Sequence, residues 1–508
     1  MKRKYIKLII IIILLLIAIA GGSIVWVNSQ LKKAHGGYTE RVAPQELEYS
    51  STAVIIKNVH ILSTDCTEFL PNQNVVLKDG IIRSIHQDTI FSDEYEIIDG
   101  TDKYLIPGLV DSHVHLRESK NDLLLYLANG VTYIREMSGN TQHLLWKENI
   151  ENGELGPHIF VASEKVNSKS GIAAIFETWT RRRINYSTEK EVVGKIRWLS
   201  ERGFDAVKIS TFINADMYKL TVREAKKHDL PVIGHIPLSI GLNNIYHSGQ
   251  NEIAHVEEIT KDLIRKFGRI NSSNSSEFLQ FLDDESDQIA TEIRDNNIAV
   301  SSTIWLMESF YHQKFNLDSL ITEVELEYAN PGLIEGTMLG RGWLPGNNSY
   351  GEPPEVMNNT ERKETAEIFW KTYADAIHIV TEALAENNVF IMAGTDANVP
   401  VAIPGFSLHD ELESMSKSGM TNAQVLYAAT VAPGIWMKSN TGMIKEGYKS
   451  DLVLLSNNPL ENIKNTTSIE AVFCGAHRLT THHIDDMLQE VLLKNDMSRS
   501  INIQEFIN

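Results

Sequence analysis

Five short stretches of the chain place histidine, lysine or aspartate at the ends of apolar segments. The first reads Asp-Ser-His-Val-His, so one residue separates His113 from His115. Alternate residues of a strand point to the same side, and the two imidazoles therefore project together. The other four residues of this kind follow in order: Lys208, His235, His255 and Asp396. A strand-end histidine alone is more often a hydrogen-bonded polar residue, but recurrence at five strand ends predicts a site for Zn²⁺ or a similar divalent metal.

The lysine suggests that two metal ions are bound. Burying an ammonium inside an apolar strand costs free energy, whereas a lysine carbamate, formed with CO₂, is an anion that can bridge two metals. The expected assignment is His113, His115 and Asp396 on one metal, His235 and His255 on the other, and carboxylated Lys208 between them. A hydroxide bridging the metals would attack a carbonyl. Asp396 would be catalytic, accepting the proton of the attacking water and passing it to the leaving nitrogen.

These residues require a framework that brings distant strand ends together. Between residues 107 and 436 short apolar strands alternate with helical patterns such as Glu189–Arg202. The strand candidates are Gly108–Val114, Val131–Met137, His158–Ala162, Ala206–Ser210, Val232–His235, Glu252–His255, Ile298–Ile304 and Val389–Gly394. Eight strand-helix units predict an α/β fold, a (β/α)8 TIM-like barrel, whose active site lies at the carboxyl ends of its strands. Two oversized connections, 164–187 and 310–364, would cover that end.

The flanking segments indicate further domains. Short β-rich segments at 50–106 and 437–480 predict one small composite β-sandwich built from both chain ends. Residues 107–436 would then be the hydrolase barrel, and residues 481–508 a helical tail.

The first 30 residues predict a signal peptide or a transmembrane anchor. Four basic residues precede an uncharged apolar run from Leu8 to Val27, long enough to cross a bilayer. The positive flank would remain cytoplasmic, which would place the catalytic domain on the extracytoplasmic side, either anchored or secreted. Ala18-Ile-Ala20 also fits a signal-peptidase site. A buried core helix is the other alternative.

Composition narrows the range of partners. The net charge of −19 argues against nucleic acid, because few cations would neutralise phosphates. We therefore expect a small-molecule or dipeptide substrate and membrane association through the first helix. Whether the protein forms a homo-oligomer stays open. The two cysteines, Cys66 and Cys474, exclude a disulfide scaffold, and whether they pair is open.

Several motifs together resemble the amidohydrolase superfamily, in its imidazolonepropionase-like and Xaa-Pro dipeptidase-like branch. They are PGLVDSHVHL, AVKIS, IGHIP, EIAHVEE and AGTDA, with a GMIKEGYKSDLVLL return to the β-domain. The resemblance implies a distorted barrel, a composite β-sandwich and hydrolysis of amide-type C–N bonds. Members that have the lysine of strand four resemble binuclear enzymes with a carboxylated lysine, which favours a dipeptidase or an N-acyl or cyclic-amide hydrolase with two divalent metals, zinc first among them. The chain departs from the family at Glu136, where Asp is common, and at Ala254, where Glu is common.

Two alternatives to this function remain. One is a mononuclear imidazolonepropionase-like enzyme or deaminase with an unmodified Lys208, and the other is a non-catalytic protein that binds small ligands on the same barrel. His409 and Tyr218 are further candidates for substrate contact. For His409 a capping or packing role is an equal alternative, and for Tyr218 packing is the favoured one.

Overall fold

The computed structural model describes residues 2–43, 50–51, 53–88 and 95–507. Parts of the predicted segments 1–30, 50–106 and 481–508 (residues 1, 52, 89–94 and 508) lie outside the described residues. The first helix, α1 (Lys2–Ala34), contains the apolar run, and its side chains from 3 to 26 are exposed rather than packed in a core. This argues against the core-helix alternative. By length and composition, α1 could cross a membrane.

Six strands follow in the described residues before position 108. They are β1 (Ser50–Ser51), β2 (Val54–Leu62), β3 (Phe69–Lys78), β4 (Ile81–His86), β5 (Glu96–Asp99) and β6 (Tyr104–Pro107). The β3–β4 hairpin turns at Asp79 and Gly80, whose φ angles of 55° and 71° suit an Asp-Gly turn between antiparallel strands.

The middle of the chain forms short parallel strands. They are β7 (Leu109–Val114), β8 (Val131–Gly139), β9 (His158–Ser163), β10 (Val166–Asn167), β11 (Ile184–Asn185), β12 (Val207–Ile209), β13 (Val232–Gly234), β14 (Glu252–Ala254), β15 (Ala299–Ser301) and β16 (Ile391–Met392). Parallel pairing forms two sheets from these strands. One has the order β7-β8-β9, and the other has the order β11-β10-β12-β13-β14-β15-β16. Isolated parallel bridges join Ala162 to Ala206 and Val114 to Ala397, next to a backbone hydrogen bond of 2.8 Å from Ser112 N to Ala393 O.

Helices occupy the connections between these strands. They are α2 (Asp122–Ala128), α3 (Thr141–Glu151), α4 (Gly171–Arg181), α5 (Glu189–Arg202), α6 (Ala215–Lys227), α7 (Leu242–Ile245), α8 (Val256–Phe267), α9 (Ser275–Asp295), α10 (Ile304–Phe315), α11 (Leu317–Leu320), α12 (Pro331–Glu335), α13 (Pro354–Met357), α14 (Thr360–Glu386), α15 (Phe406–Lys417), α16 (Asn422–Ala429) and α17 (Val431–Trp436). Helix α5 has the bounds expected from its pattern. Thr188 and Glu191 form a capping box at its start, and Gly203, at φ 83°, ends it.

The C-terminal segment returns to the first sheet. It contains β17 (Leu452–Leu455), β18 (Ile469–Cys474), β19 (His477–Thr480), α18 (Thr481–Ser498) and α19 (Gln504–Ile507). The order of the mixed sheet is β1-β19-β18-β17-β6-β2-β3-β4, with β5 also paired to β2. Strands from both ends of the chain therefore share one sheet.

The tail and the long insertion both pack on the strand-rich body. Ile484, Met487 and Val491 of α18 join a buried apolar cluster with Leu124 and Leu127 of α2. The 310–364 segment contributes Ile334 of α12 and Trp343 to a further apolar cluster, which also contains Val401, Ile403 and Ile503. Both segments are therefore integral parts of the fold rather than loose appendages.

Candidate metal centre

The six residues singled out in the sequence lie at or near the carboxyl ends of parallel strands. His113 lies in β7 with His115 just beyond its end, His235 and His255 directly follow β13 and β14, Lys208 is the middle residue of β12, and Asp396 follows β16. We call these six residues the strand-end cluster. The strands are short and parallel, so their ends reach the same side of the sheet and the six side chains converge.

Asp396 lies between the two histidines of β7. Its Oδ1 is 3.1 Å from His115 Nε2 and 3.5 Å from His113 Nε2. The same nitrogen, His113 Nε2, also lies 3.3 Å from the Lys208 Nζ. The lysine and the aspartate therefore both contact the His113 imidazole, although 188 positions separate them in the chain.

The remaining two histidines complete the arrangement. The ring centroid of His255 is 4.3 Å from that of His113 and 5.4 Å from that of His235. One ligand atom from each of His113, His255 and Asp396 lies within 4.8 Å of the others. The structure thus brings together all six predicted residues.

The backbone is unusual at two members of the cluster. His255 has φ 74° and Asp396 has φ 60°, values that residues with a Cβ seldom adopt. Such conformations cost about 1–3 kcal/mol and persist where surrounding contacts enforce them, often at functional sites. The conformation at Asp396 is held by its backbone N–H, which donates to the His113 carbonyl at 2.7 Å.

A second layer of polar groups orients the imidazoles. Glu258 Oε1 lies 3.3 Å from His235 Nδ1, and His255 Nδ1 lies 2.9 Å from the Thr303 hydroxyl. Glu136, the residue that departs from the family pattern, accepts a hydrogen bond from Ser138 N and lies 3.9 Å from His115 Nδ1. Glu136 thus keeps a carboxylate next to this imidazole. Partners that fix ring orientation are typical of histidine ligands.

Glu258 was not expected as part of the site. Its signal in the sequence is the spacing in His-Val-Glu-Glu, which places Glu258 in the first turn of α8, directly after His255. Its actual contact, however, is His235 on the neighbouring strand, and only the register of β13 with β14 brings the two together.

Burial keeps the imidazoles in the neutral form that metals bind. Burial is the main cause that lowers the pKa of His113 and His255 far below the ordinary value and the pKa of His235 to about 4. Burial, and then the charge of Lys165, lowers the pKa of Lys208 from its ordinary 10.5 to about 7. A substantial fraction of Lys208 is therefore a neutral amine near neutral pH, the form that can react with CO₂.

At Asp396 the interactions with neighbouring groups together outweigh the effect of burial on the pKa. Burial alone would raise its pKa, but the neighbouring His115, followed by the charges of His255 and Lys165, holds the pKa well below the usual range. For Glu136 burial also raises the pKa, yet the charge of His143 and the contact with His115 lower it to about 2. Both carboxylates are therefore anions at neutral pH, as ligands and their supports must be.

The residues present fit a divalent metal ion. The buried atoms Asp396 Oδ1 and His115 Nδ1 have no hydrogen-bond partner among the described residues. A buried carboxylate oxygen without a donor is costly, which suggests that another group satisfies it. Nitrogen and oxygen donors of this kind suit zinc and other first-row divalent metals.

Two cationic side chains that the sequence did not single out lie near the cluster. Arg117 and Lys165 are half-buried, and burial is the main cause that lowers the pKa of each. Both interact electrostatically with Asp396. Arg117 lies beyond the end of β7 and has φ 56°, so strand alternation does not indicate where its side chain points.

The two candidate substrate residues lie in other surroundings. The Tyr218 hydroxyl in α6 lies within hydrogen-bond distance of Ser248 Oγ, at 2.7 Å, and of Gln250 Oε1, at 3.1 Å. His409 in α15 contacts the Thr466 hydroxyl through Nδ1 at 2.9 Å. Neither set of partners belongs to the strand-end cluster, because α6 and α15 turn these faces toward their own packing neighbours. We do not carry either residue into the site.

The cysteines are buried free thiols rather than a disulfide. Cys474 lies near His158 and Asp451, a second group with possible ligand atoms. The Lys449 ammonium, 3.4 Å from both ring nitrogens of His158, already supplies a cation there. Burial raises the pKa of Cys474 far above that of a free thiol, which makes it a poor metal ligand.

Known proteins share segments of this sequence and its fold. The dihydroorotase of Trichlorobacter lovleyi is 40% identical over 55 residues, which span 10% of this chain and 13% of that protein. The curated relatives that the chain matches share only 12–14% of their own lengths with it.

Solved structures resemble the chain over nearly its whole length. A bottromycin amidohydrolase superimposes with a TM-score of 0.67 at 19% identity and covers 92% of this chain and 96% of its own. A Xaa-Pro dipeptidase with bound methionine in its active site gives a TM-score of 0.58 at 17% identity, covering 84% of this chain and 100% of its own. At these identities the likeness concerns the fold.

The family assignment rests on the sequence itself. Residues 104–479, from the last strand of the first β-rich segment to β19, match the amidohydrolase family. The match includes every member of the strand-end cluster and confirms the family expected from the motifs. We conclude that this chain belongs to the amidohydrolase family.

Proposed function

We propose that the parallel strands close into one (β/α)8 barrel, residues 107–436, and that the mixed sheet forms a composite β-domain. The bridges from Ala162 to Ala206 and from Val114 to Ala397 support closure, because they link the two parallel sheets at both edges. A closed barrel accounts for the convergence of strand ends 283 positions apart, from His113 to Asp396.

We propose further that the protein is a metal-dependent hydrolase of amide-type C–N bonds. The observation that carries this proposal is the convergence of four imidazoles, one lysine and one carboxylate at one end of the strands, where ligand atoms of His113, His255 and Asp396 lie within 4.8 Å of one another. His113, His115 and Asp396 would hold one divalent metal, and His235 and His255 a second, with carboxylated Lys208 between them. Bound metals of this kind polarise a carbonyl and make water acidic.

Asp396 would move the proton in this reaction. It is an anion in the resting site and has one oxygen without a hydrogen-bond donor among the described residues, so it can accept a proton from an attacking water. The leaving nitrogen of an amide needs a proton, and Asp396 can return the one it has taken. His113, His235 and His255, whose pKa values burial lowers, would serve as ligands rather than as bases.

The surroundings of the cluster favour a substrate with a carboxylate. Arg117 and Lys165 are two cations enclosed near the cluster, and each interacts with Asp396. A substrate carboxylate would pair with these cations and orient an adjacent amide bond toward Asp396. Dipeptides, N-acyl amino acids and carboxylated cyclic amides share this feature. A dihydroorotase and a Xaa-Pro dipeptidase among the similar proteins are consistent with the class.

We propose that α1 is a retained membrane anchor and that the barrel lies on the extracytoplasmic side. Basic residues precede the apolar run, as expected for a cytoplasmic N-terminus. The last turn of α1 also contacts the folded body: Lys33 pairs with Glu335 at 3.1 Å. A cleaved signal would leave the body without the segment that precedes these contacts.

The test combines metal content with hydrolysis by the full-length protein in detergent. We expect two equivalents of metal per chain and hydrolysis of some members of a library of dipeptides, N-acyl amino acids and cyclic amides. Asp396→Asn should lower kcat by about 100-fold or more with little change in the melting temperature, because a proton acceptor is lost while shape is kept. Asp65→Asn, at an exposed turn, is the control.

A second variant separates the two enzymatic alternatives. Lys208→Ala should lose at least one metal equivalent and recover activity partly with added short carboxylates. If this variant retains its metal content and full rate, the carbamate is excluded and a mononuclear enzyme is favoured. A wild-type protein that binds no metal and hydrolyses nothing in the library would instead support the ligand-binding alternative.

A further inference from the structure

We propose that the rim around the strand-end cluster docks on the surface of the lipid bilayer. The docking surface, which we call the apolar rim, consists of one face of α4 and a turn after α12: Ile172, Ile175, Phe176, Trp179, Met338 and Leu339. The inference rests on the proposal that α1 is a retained anchor. It adds that the mouth of the site, and not a remote face of the body, meets the membrane.

Helix α4 presents its apolar residues to the outside. Ile172, Ile175, Phe176 and Trp179 have the i, i+3, i+4, i+7 spacing of one helical face, and 86% and 70% of the first two side chains are exposed. In a helix of a soluble domain such a face packs against the core. An exposed apolar face of this kind instead marks an interaction site.

One polar residue of α4, Glu177, faces the protein. Glu177 is buried and accepts a hydrogen bond from Asn167 Nδ2 at 2.9 Å, and its carboxylate also pairs with Lys169 at 2.8 Å. The outward direction of the apolar face is therefore fixed by an inward-facing charge. Rotating α4 to bury the isoleucines would break this ion pair.

The apolar face of α4 lies beside the end of the predicted membrane span in α1. Trp179 Nε1 donates a 2.7 Å hydrogen bond to Asn28 Oδ1 in α1. Asn28 directly follows Val27, the last residue of the apolar run, and side chains from 3 to 26 of α1 make little contact with the body. The contact therefore places α4 at the depth of the headgroups, where tryptophan is enriched in membrane proteins.

The second part of the rim also adjoins α1. Met338 and Leu339 lie at the tip of a tight turn between Thr337 and Gly340, and 82% of the Met338 side chain is exposed. This turn follows α12, which packs on α1 and contains Glu335, the partner of Lys33. Helix α1 thus contacts the elements that carry both exposed apolar groups.

Basic residues flank the rim although the chain as a whole is acidic. They are the exposed Lys32 and Arg341, together with Lys33, Lys169 and Arg181, which also pair with Glu335 or Glu177. Lysine and arginine at the end of a span and beside an amphipathic helix favour anionic headgroups. A bilayer that contains anionic lipid therefore matches the rim in both apolarity and charge.

The rim belongs to the same connections that enclose the strand-end cluster. Helix α4 lies in the connection after β9, which also contains Lys165. The Glu118 backbone N–H, next to Arg117, donates to the carbonyl of His35 just after α1, and Arg182 at the end of α4 pairs with the Glu118 carboxylate. Docking the rim would therefore hold the mouth of the site at the membrane surface.

Site-specific labels test this arrangement in the full-length protein, reconstituted in vesicles of phosphatidylcholine and phosphatidylglycerol. Cys66 and Cys474 are buried, so a single introduced cysteine can be labelled selectively with an environment-sensitive fluorophore. The rim variants are Ile172→Cys, Ile175→Cys and Leu339→Cys. The controls are Leu145→Cys on α3 and Val193→Cys on α5, two other exposed apolar positions.

We expect blue-shifted emission at the rim positions and quenching by spin-labelled lipid about twofold or more above that at the controls, since an interfacial helix inserts its apolar face into the headgroup boundary. Equal quenching at rim and control positions would overturn the proposal. A blue shift without lipid quenching would also overturn it and indicate that a second copy covers the rim. If the mass of the intact protein showed that the apolar run had been cleaved off, α1 would not be an anchor and the proposal would be overturned. None of these readouts depends on hydrolysis, so a failure of the proposed activity would be recognised separately.

Discussion

The buried ion pair between Arg135 and Glu252 provides a sharp test of how the strand framework is stabilised. Arg135 in β8 and Glu252 in β14 are 2.5 Å apart, and both side chains are fully buried. Coulomb attraction at this distance is about 7 kcal/mol with an effective dielectric constant of about 20, and desolvation of the two ions offsets much of it. The Arg135 guanidinium also stacks 4.2 Å from the Trp436 ring centroid, which contributes about 1 kcal/mol.

Removing one ion is expected to cost more than removing both. Arg135→Met leaves the Glu252 carboxylate buried without a counter-charge, and we expect a loss of about 3–5 kcal/mol in the free energy of unfolding. The double variant Arg135→Met with Glu252→Met should lie within about 2 kcal/mol of the parent, because two apolar side chains of similar size replace the pair.

The assay is chemical denaturation of the detergent-solubilised protein, followed by tryptophan fluorescence, for both single variants and the double variant. Arg223→Met is the control, because Arg223 pairs with Glu189 at 2.6 Å on the exposed surface and its loss should cost less than about 1 kcal/mol. A single variant that costs no more than this control would refute the reasoning. So would a double variant whose loss equals the sum of the two single losses, since the ions would then act independently.

Three further perturbations have defined outcomes. Burial, with the charges of Glu325 and Glu413, raises the pKa of Asp410 from 3.8 to about 7; the folded state therefore retains a proton that the unfolded chain loses, and stability should fall as pH rises between these values. In calorimetry, Asp410→Asn should accordingly have a higher melting temperature than the parent near pH 8 but not near pH 4. An equal change in melting temperature at the two pH values would contradict this. Glu258→Gln should weaken metal binding about 10- to 100-fold in chelator competition, because the His235 imidazole loses its anionic partner; unchanged affinity would show that Glu258 does not support the site. Gly394→Ala would bring a Cβ to 2.8 Å from the Cβ of His113 and should destabilise the fold by about 1–3 kcal/mol, whereas Gly194→Ala, with open space around it, should not destabilise the protein in the same melt.

The signal for the strand-end cluster in the sequence is local. Each histidine of the cluster and Asp396 ends an apolar segment of a few residues, and strand alternation determines which side chains project together. The helix Glu189–Arg202 is predicted with the bounds it has for a similar reason, since its caps, Thr188 and Gly203, directly flank it.

Contacts that depend on neighbouring strands and helix rotation are not predicted. Glu258 supports His235 rather than the adjacent His255, because the register of β13 and β14 decides the pairing. Tyr218 and His409 occur at plausible chain positions, but the faces of α6 and α15 on which they lie pack elsewhere. The contact of Trp179 with Asn28 joins segments 151 positions apart and leaves no local trace in the sequence.

The position of β17 in the mixed sheet has a consequence for the order of folding. β17 pairs with β6, yet roughly 345 residues separate the end of β6 from the start of β17. During synthesis, an unpaired edge at β6 would persist until almost the entire polypeptide has emerged, and such edges invite aggregation. A nascent chain would therefore expose this edge of β6 until β17 has emerged, and any truncation before residue 452 would leave it without its partner strand.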